Sequence, residues 1–139
     1  TRTIPQGLSA MLAFDSDLSL EENRLNMTKA FDRVSTGQIT FAARDSEYDG
    51  HSIREGEVLA LDNGKLSFIE HDIVKACVKL TRSLVHRDSS FITILYGADA
   101  TEEQANQVKG QLDARYNGEI EVSVINGGQP VYYFIISVE

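Results

Sequence analysis

The side chains in this sequence that are grouped for chemistry are mostly carboxylates. Between positions 45 and 63 stand Asp45, Glu47, Asp49, Glu55, Glu57 and Asp62, with Arg54 the only base. Carboxylates crowded on one stretch repel each other, so they cost stability unless water, a cation or a basic partner compensates. A solvated loop is the plain reading and a basic protein partner the main alternative. A calcium loop would need a 12-residue pattern with Gly at its sixth position and Glu at its twelfth, and that pattern is absent. A second acidic group, Asp99, Glu102 and Glu103, falls where a strand is expected to turn into a helix.

The other reactive residue types are sparse. His51, His71 and His86 are not at helical ligand spacing, and zinc needs several converging ligands. Cys77 is the only cysteine, so it can form no internal disulfide. It lies on the apolar side of a periodic stretch, as a small buried hydrophobe would. A reduced, cytoplasmic setting is the simplest expectation. There is no phosphate-binding Gly-Lys loop and no dinucleotide turn. Gly127-Gly128 could cradle an anion, but two glycines just ahead of Pro130 read as a tight turn. No catalytic residue, metal or cofactor is expected within these residues.

The elements that position the carboxylates follow from periodicity. Residues 7–14 read as a short apolar helix. A second helix spans about 20–34, with Ser19 and Glu22 forming a capping box and Leu20, Met27, Ala30, Phe31 and Val34 as its apolar stripe. A strand at 38–44 precedes a polar loop at 45–56. Asn63-Gly64 between two apolar runs signals a hairpin. A helix at about 72–87 presents Ile73, Ala76, Cys77, Leu80 and Leu84 on one side. Residues 91–97 are apolar on both faces, as in a central strand. A helix capped by Thr101, a half-wet strand around Ile120 to Val124 and an apolar strand from Val131 to Val138 complete the chain. The final strand is expected to come back antiparallel and could pair between the two before it. These elements imply an α+β fold: a two-layer α/β domain with a mixed sheet and helices mainly on one face.

Length and charge set outer bounds. The 139 residues suit one domain, and 42% hydrophobic content suffices for one core. The net charge of −8 repels nucleic acid and anionic lipid. No apolar run is long enough to span a membrane. The chain opens at Thr1 without a methionine, which leads to the expectation of a piece of a longer protein, although a cleaved precursor would look the same.

Several stretches, in order along the chain, resemble the end of the fatty acid kinase FakA family. They are Thr3 to Phe14, Asn23 with Met27, Thr36 to Asp45, Ile53 to Glu57, Tyr96-Gly97 followed by Thr101-Glu102-Glu103, and Gly127 to Tyr133. The resemblance implies residues 1–35 as a leading helical segment, the end of a preceding subdomain and connector, and 36–139 as a C-terminal α/β subdomain with a DegV-like fold. In that family an N-terminal dihydroxyacetone-kinase-like (DhaL) domain binds ATP and magnesium, and a middle region completes the catalytic site. The C-terminal region is related to FakB, the DegV-like protein that carries the fatty acid. The kinase makes acyl phosphate for phospholipid synthesis. This chain is then expected to be no enzyme by itself but a docking domain. It would meet a basic face of FakB and contact other domains of its own polypeptide, without nucleic acid or a membrane span. The resemblance does not say which acids line the docking groove. Asp45, Glu47, Asp49, Glu55 and Glu57 are the first candidates, and Asp99, Glu102 and Glu103 the second. A DegV-like module that binds fatty acid or regulates is the alternative reading.

Overall fold

The computed structural model describes residues 1–139. Two helices lead, α1 (Ile4–Leu12) and α2 (Leu20–Asp32). They are followed by β1 (Ser35–Phe41), β2 (Ser46–Tyr48), β3 (His51–Ile53), β4 (Val58–Asp62), β5 (Lys65–Glu70), α3 (Ile73–Leu84), β6 (Phe91–Tyr96), α4 (Glu102–Tyr116), β7 (Glu121–Asn126) and β8 (Phe134–Val138). Six strands form one mixed sheet in the order β5-β4-β1-β8-β6-β7, and β2-β3 pair separately. Only β6 and β7 are parallel.

The register explains which side of the sheet carries the core. Ile39 lies beside Ala60 and Phe134, Ile94 beside Ile136 and Val124, and Ile92 beside Val138 and Val122. Side chains alternate along a strand, so these residues share one face. Helices α3 and α4 cover that face with Ala76, Cys77, Leu80 and Leu84, and with Ala105, Val108 and Leu112, all buried. Gly37 lets α3 sit close: a Cβ there would lie 2.8 Å from Leu84 Cδ1 and 2.9 Å from Leu80 Cδ2.

Four sequence expectations need correction. The final strand does not enter between β6 and β7. Instead β8 pairs with β1 and β6, so it lies at the centre of the sheet, where its run Phe134-Ile135-Ile136 is buried. The strand also starts at Phe134 rather than Val131, because residues 131–133 turn sharply. The 45–56 stretch is not only loop. Asp49 and Gly50 have φ of +49° and +76° and close a two-residue turn between β2 and β3, the same turn chemistry that Asn63-Gly64 supplies between β4 and β5. Finally, Leu20 is not part of an inward stripe. It is 88% exposed, while Asn23 is the buried residue of α2.

Candidate functional site

The strand directions bring separate loops to one end of the sheet. Phe41, Val58 and Glu70 share one register row, and Ile39, Phe134, Tyr96 and Asn126 share a row two residues away, so these strand ends lie together. The connections that leave this end are 42–57, 71–72, 97–101 and 127–133. Asp45, Glu55 and Glu57 stand at the base of the first, and Asp99, Glu102 and Glu103 lie on or just after the third. Strands sit about 4.8 Å apart, so the β1 and β6 connections are separated by two spacings, or about 10 Å. The two acidic groups, which the sequence leaves unrelated, thus share one face of the molecule.

Not every candidate is brought there. The β2-β3 arm folds back along β5, and Tyr48, Asp49 and His51 lie across a groove of about 380 Å³ from Leu66 and Ile69. Glu47 and Asp49 therefore extend the acidic surface sideways. Two further acids, Glu70 and Asp72, escape the sequence reading; their connection from β5 into α3 leaves the sheet at the same end. The signal that could have found them is the direction of β5, which follows once the Asn63-Gly64 hairpin is accepted.

The charges are not cancelled within the chain. Its ion pairs are Arg24 with Glu21, and Lys109 with Asp113 at 2.6 Å. Neither involves a candidate acid, and Arg44 and Arg54 make no ion pair. Asp45 accepts the Glu55 N–H at 2.7 Å, and Glu57 accepts the Arg54 N–H at 3.1 Å, so these two also shape their loop. Glu47, Asp49, Glu55, Asp99, Glu102 and Glu103 are exposed and hold no hydrogen bond through their side chains. Asp72 caps α3 by accepting from Val74 and Lys75 at 2.8 and 3.1 Å. Helices α3 and α4 both begin at this end. Their partial positive charge there offsets some of the crowding among Asp72, Glu102 and Glu103.

Between the acidic groups stands a rigid apolar turn. The Tyr132 N–H donates to the Pro130 carbonyl at 2.8 Å across Val131, whose φ is +71°. This is the rare, strained form of the γ-turn, unusual for a β-branched residue. Neighbouring bonds hold it. Thr40 Oγ1 donates to the Val131 carbonyl at 2.8 Å, and Gln129 Nε2 donates to Leu95 and Tyr132 carbonyls at 2.9 and 3.3 Å. A Cβ on Gly97 would collide with the Tyr132 and Gln129 carbonyl oxygens. The turn leaves Val131 52% exposed.

Chemistry of other kinds has little to work with. No three His, Cys, Asp or Glu side chains are placed to hold a metal ion. Cys77 is fully buried and burial pushes its thiol far above the usual range, although the Thr81 hydroxyl partly opposes this. It is a core residue rather than a nucleophile. No helix is long and apolar enough to cross a membrane.

The fold occurs in DegV family proteins. One from Ruminococcus gnavus, solved with vaccenic acid, superposes with a TM-score of 0.59 at 16% identity, over 96% of this chain and 54% of its own. A fatty-acid-binding one from Thermus thermophilus gives 0.56 at 13% identity, over 95% and 55%. Sequence relatives are nearer. Protein YloV of Bacillus subtilis is 40% identical over 138 residues, which is 99% of this chain and 25% of YloV. An uncharacterized Staphylococcus haemolyticus protein is 35% identical over 139 residues, again 25% of its length. The chain thus spans about a quarter of the curated relatives it matches. The family model for the C-terminal region of FakA-like fatty acid kinase subunits matches residues 1–139. The chain belongs to this FakA-like C-terminal family.

Proposed function

We propose that this chain is the docking domain of a fatty acid kinase. It holds the acyl-carrying protein FakB so that kinase domains elsewhere in the parent polypeptide, with their ATP and magnesium, phosphorylate the bound fatty acid. The observation that carries this reading is the convergence of two exposed, unpaired acidic loops on one end of a rigid sheet. Such a surface attracts a basic partner from a distance and orients it, which mainly raises the association rate. The Pro130-Val131 turn supplies a fixed apolar centre, and the carboxylates form a charged rim around it, as in ordinary interfaces. No step of phosphoryl transfer is assigned to residues of this chain.

The test is titration of the parent protein with FakB at two ionic strengths. Neutralising Glu55→Gln, Asp99→Asn and Glu102→Gln together is expected to slow association about tenfold at low salt, and to flatten the salt dependence. Unchanged rates at both ionic strengths would remove this site.

A second reading, a fatty-acid-binding module, is favoured by the DegV proteins of like fold that carry fatty acids. Against it, the space between helices and sheet is filled: Leu80, Ile94, Phe134 and Ile136 are wholly buried. Native mass spectrometry of the purified protein separates the two, since a bound acyl chain adds its mass.

A further inference from the structure

The end of the molecule opposite the acidic loops presents a different surface. Helix α1 is anchored there: Thr3 hydrogen-bonds Thr36 at the start of β1 at 2.8 Å, and Ser9 donates to Glu139 beyond the end of β8. The helix is turned the wrong way round for a free surface helix. Such helices bury their apolar stripe, but here Pro5 and Ala10 are the buried residues. Ile4, Leu8, Met11 and Leu12, at helical spacing on one side, are 50–88% exposed. The stretch beyond adds Phe14, Leu18, Leu20 and Leu25. Eight of the chain's twelve exposed large hydrophobics thus fall within residues 4–25. Beside Leu12 a groove of about 490 Å³ runs on to Phe91, itself 51% exposed.

This surface is ordered, not a frayed end. Ser19 and Glu22 form a reciprocal capping box on α2. The buried Asn23 amide ties the turn between the helices, accepting from the Asp15 N–H at 2.8 Å and donating to the Asp15 and Leu18 carbonyls at 2.7 and 3.2 Å. A fixed apolar patch of this kind marks a surface made to be covered.

We propose that the outward side of α1, with Ile4, Leu8, Met11 and Leu12, seats another part of the same polypeptide, from outside residues 1–139. Two observations select that occupant. The chain matches only 25% of the length of its relatives; in a parent polypeptide of that length, the remainder would stand beside this surface at high local concentration. The segment that follows α1 carries both signs, Asp15, Asp17 and Glu22 against Lys29 and Arg33, with Glu21 paired to Arg24. α1 itself carries no charge, as suits a contact within a chain. The inference does not depend on docking at the acidic end.

The test is made in the full parent polypeptide with p-benzoylphenylalanine in place of Leu12, and separately in place of Met11. Both positions are exposed here, so neither change disturbs the fold of this region. After irradiation, cross-linked peptides are read by mass spectrometry over a protein dilution series, with and without phosphatidylglycerol vesicles. The expected result is a cross-link within one polypeptide to a peptide outside residues 1–139, unchanged on dilution. A cross-link between two copies that fades on dilution would overturn the proposal, as would one to lipid. Absence of any cross-link at both positions would also overturn it.

Discussion

At the scale of single residues, the two most constrained side chains are Cys77 and Val131, and they differ in how far the sequence foretells them. Cys77 is legible because its neighbours Ile73, Ala76, Leu80 and Leu84 repeat at helical spacing. Its burial has a measurable consequence. The folded thiol is held above its ordinary 9.0, whereas the unfolded thiol is not. Above that pH the unfolded chain loses a proton that the folded chain keeps, so stability is full below about pH 9 and falls as pH rises. Chemical denaturation from pH 7 to 10.5 should show this decline, and Cys77→Ala should lessen it at a cost of about 1 kcal/mol at neutral pH. An identical slope in both proteins would refute the assignment. Val131 is not legible in the same way. Its strained turn is held by Thr40, distant in sequence, and nothing local in Pro130-Val131-Tyr132 announces a positive φ.

At the scale of elements, whatever local chemistry dictates was readable: the capping boxes at Ser19 and Thr101, the Asn63-Gly64 hairpin, and the inward faces of α3 and α4. The β2-β3 hairpin carried an equally clear signal in Asp49-Gly50, but its strands are only three residues each and mostly polar, so apolar alternation gave no support. The outward face of α1 was invisible for the opposite reason. Its periodicity is real, but periodicity says only that apolar residues share a side, not what that side meets. Two glycines show how packing between elements is tuned. At Gly37 an added methyl meets flexible Leu80 and Leu84 side chains, whereas at Gly97 it meets backbone carbonyls of the 127–133 turn. Gly37→Ala should cost about 1 kcal/mol and Gly97→Ala about 3 kcal/mol, read from urea midpoints, because side chains yield where backbone does not. The reverse order would show that the turn is softer than its hydrogen bonds imply.

At the scale of the whole molecule, a single sheet separates two unlike ends. A five-residue strand such as β8 spans about 17 Å, so the acidic loops and the apolar helix pair lie beyond contact with each other. Neutralising Glu55, Asp99 and Glu102 and replacing Leu12 with Asp should therefore act independently in the parent protein. Their effects on thermal stability and on FakB affinity should add to within about 0.5 kcal/mol. A larger coupling would mean that one end senses the other. This arrangement could not be read from composition, because it depends on the strand order β5-β4-β1-β8-β6-β7. That order has a consequence for biosynthesis. Residues 35–70 supply three adjacent strands of this sheet and residues 91–126 supply two; the seam between them is β8, which pairs with both. As the ribosome makes the chain, the two groups can only wait with their inner strands unpaired, and Phe134 to Val138 close the sheet after both have emerged. Until then each group exposes a sticky β-edge, so premature termination ahead of Phe134 would yield an aggregation-prone product rather than a smaller working domain.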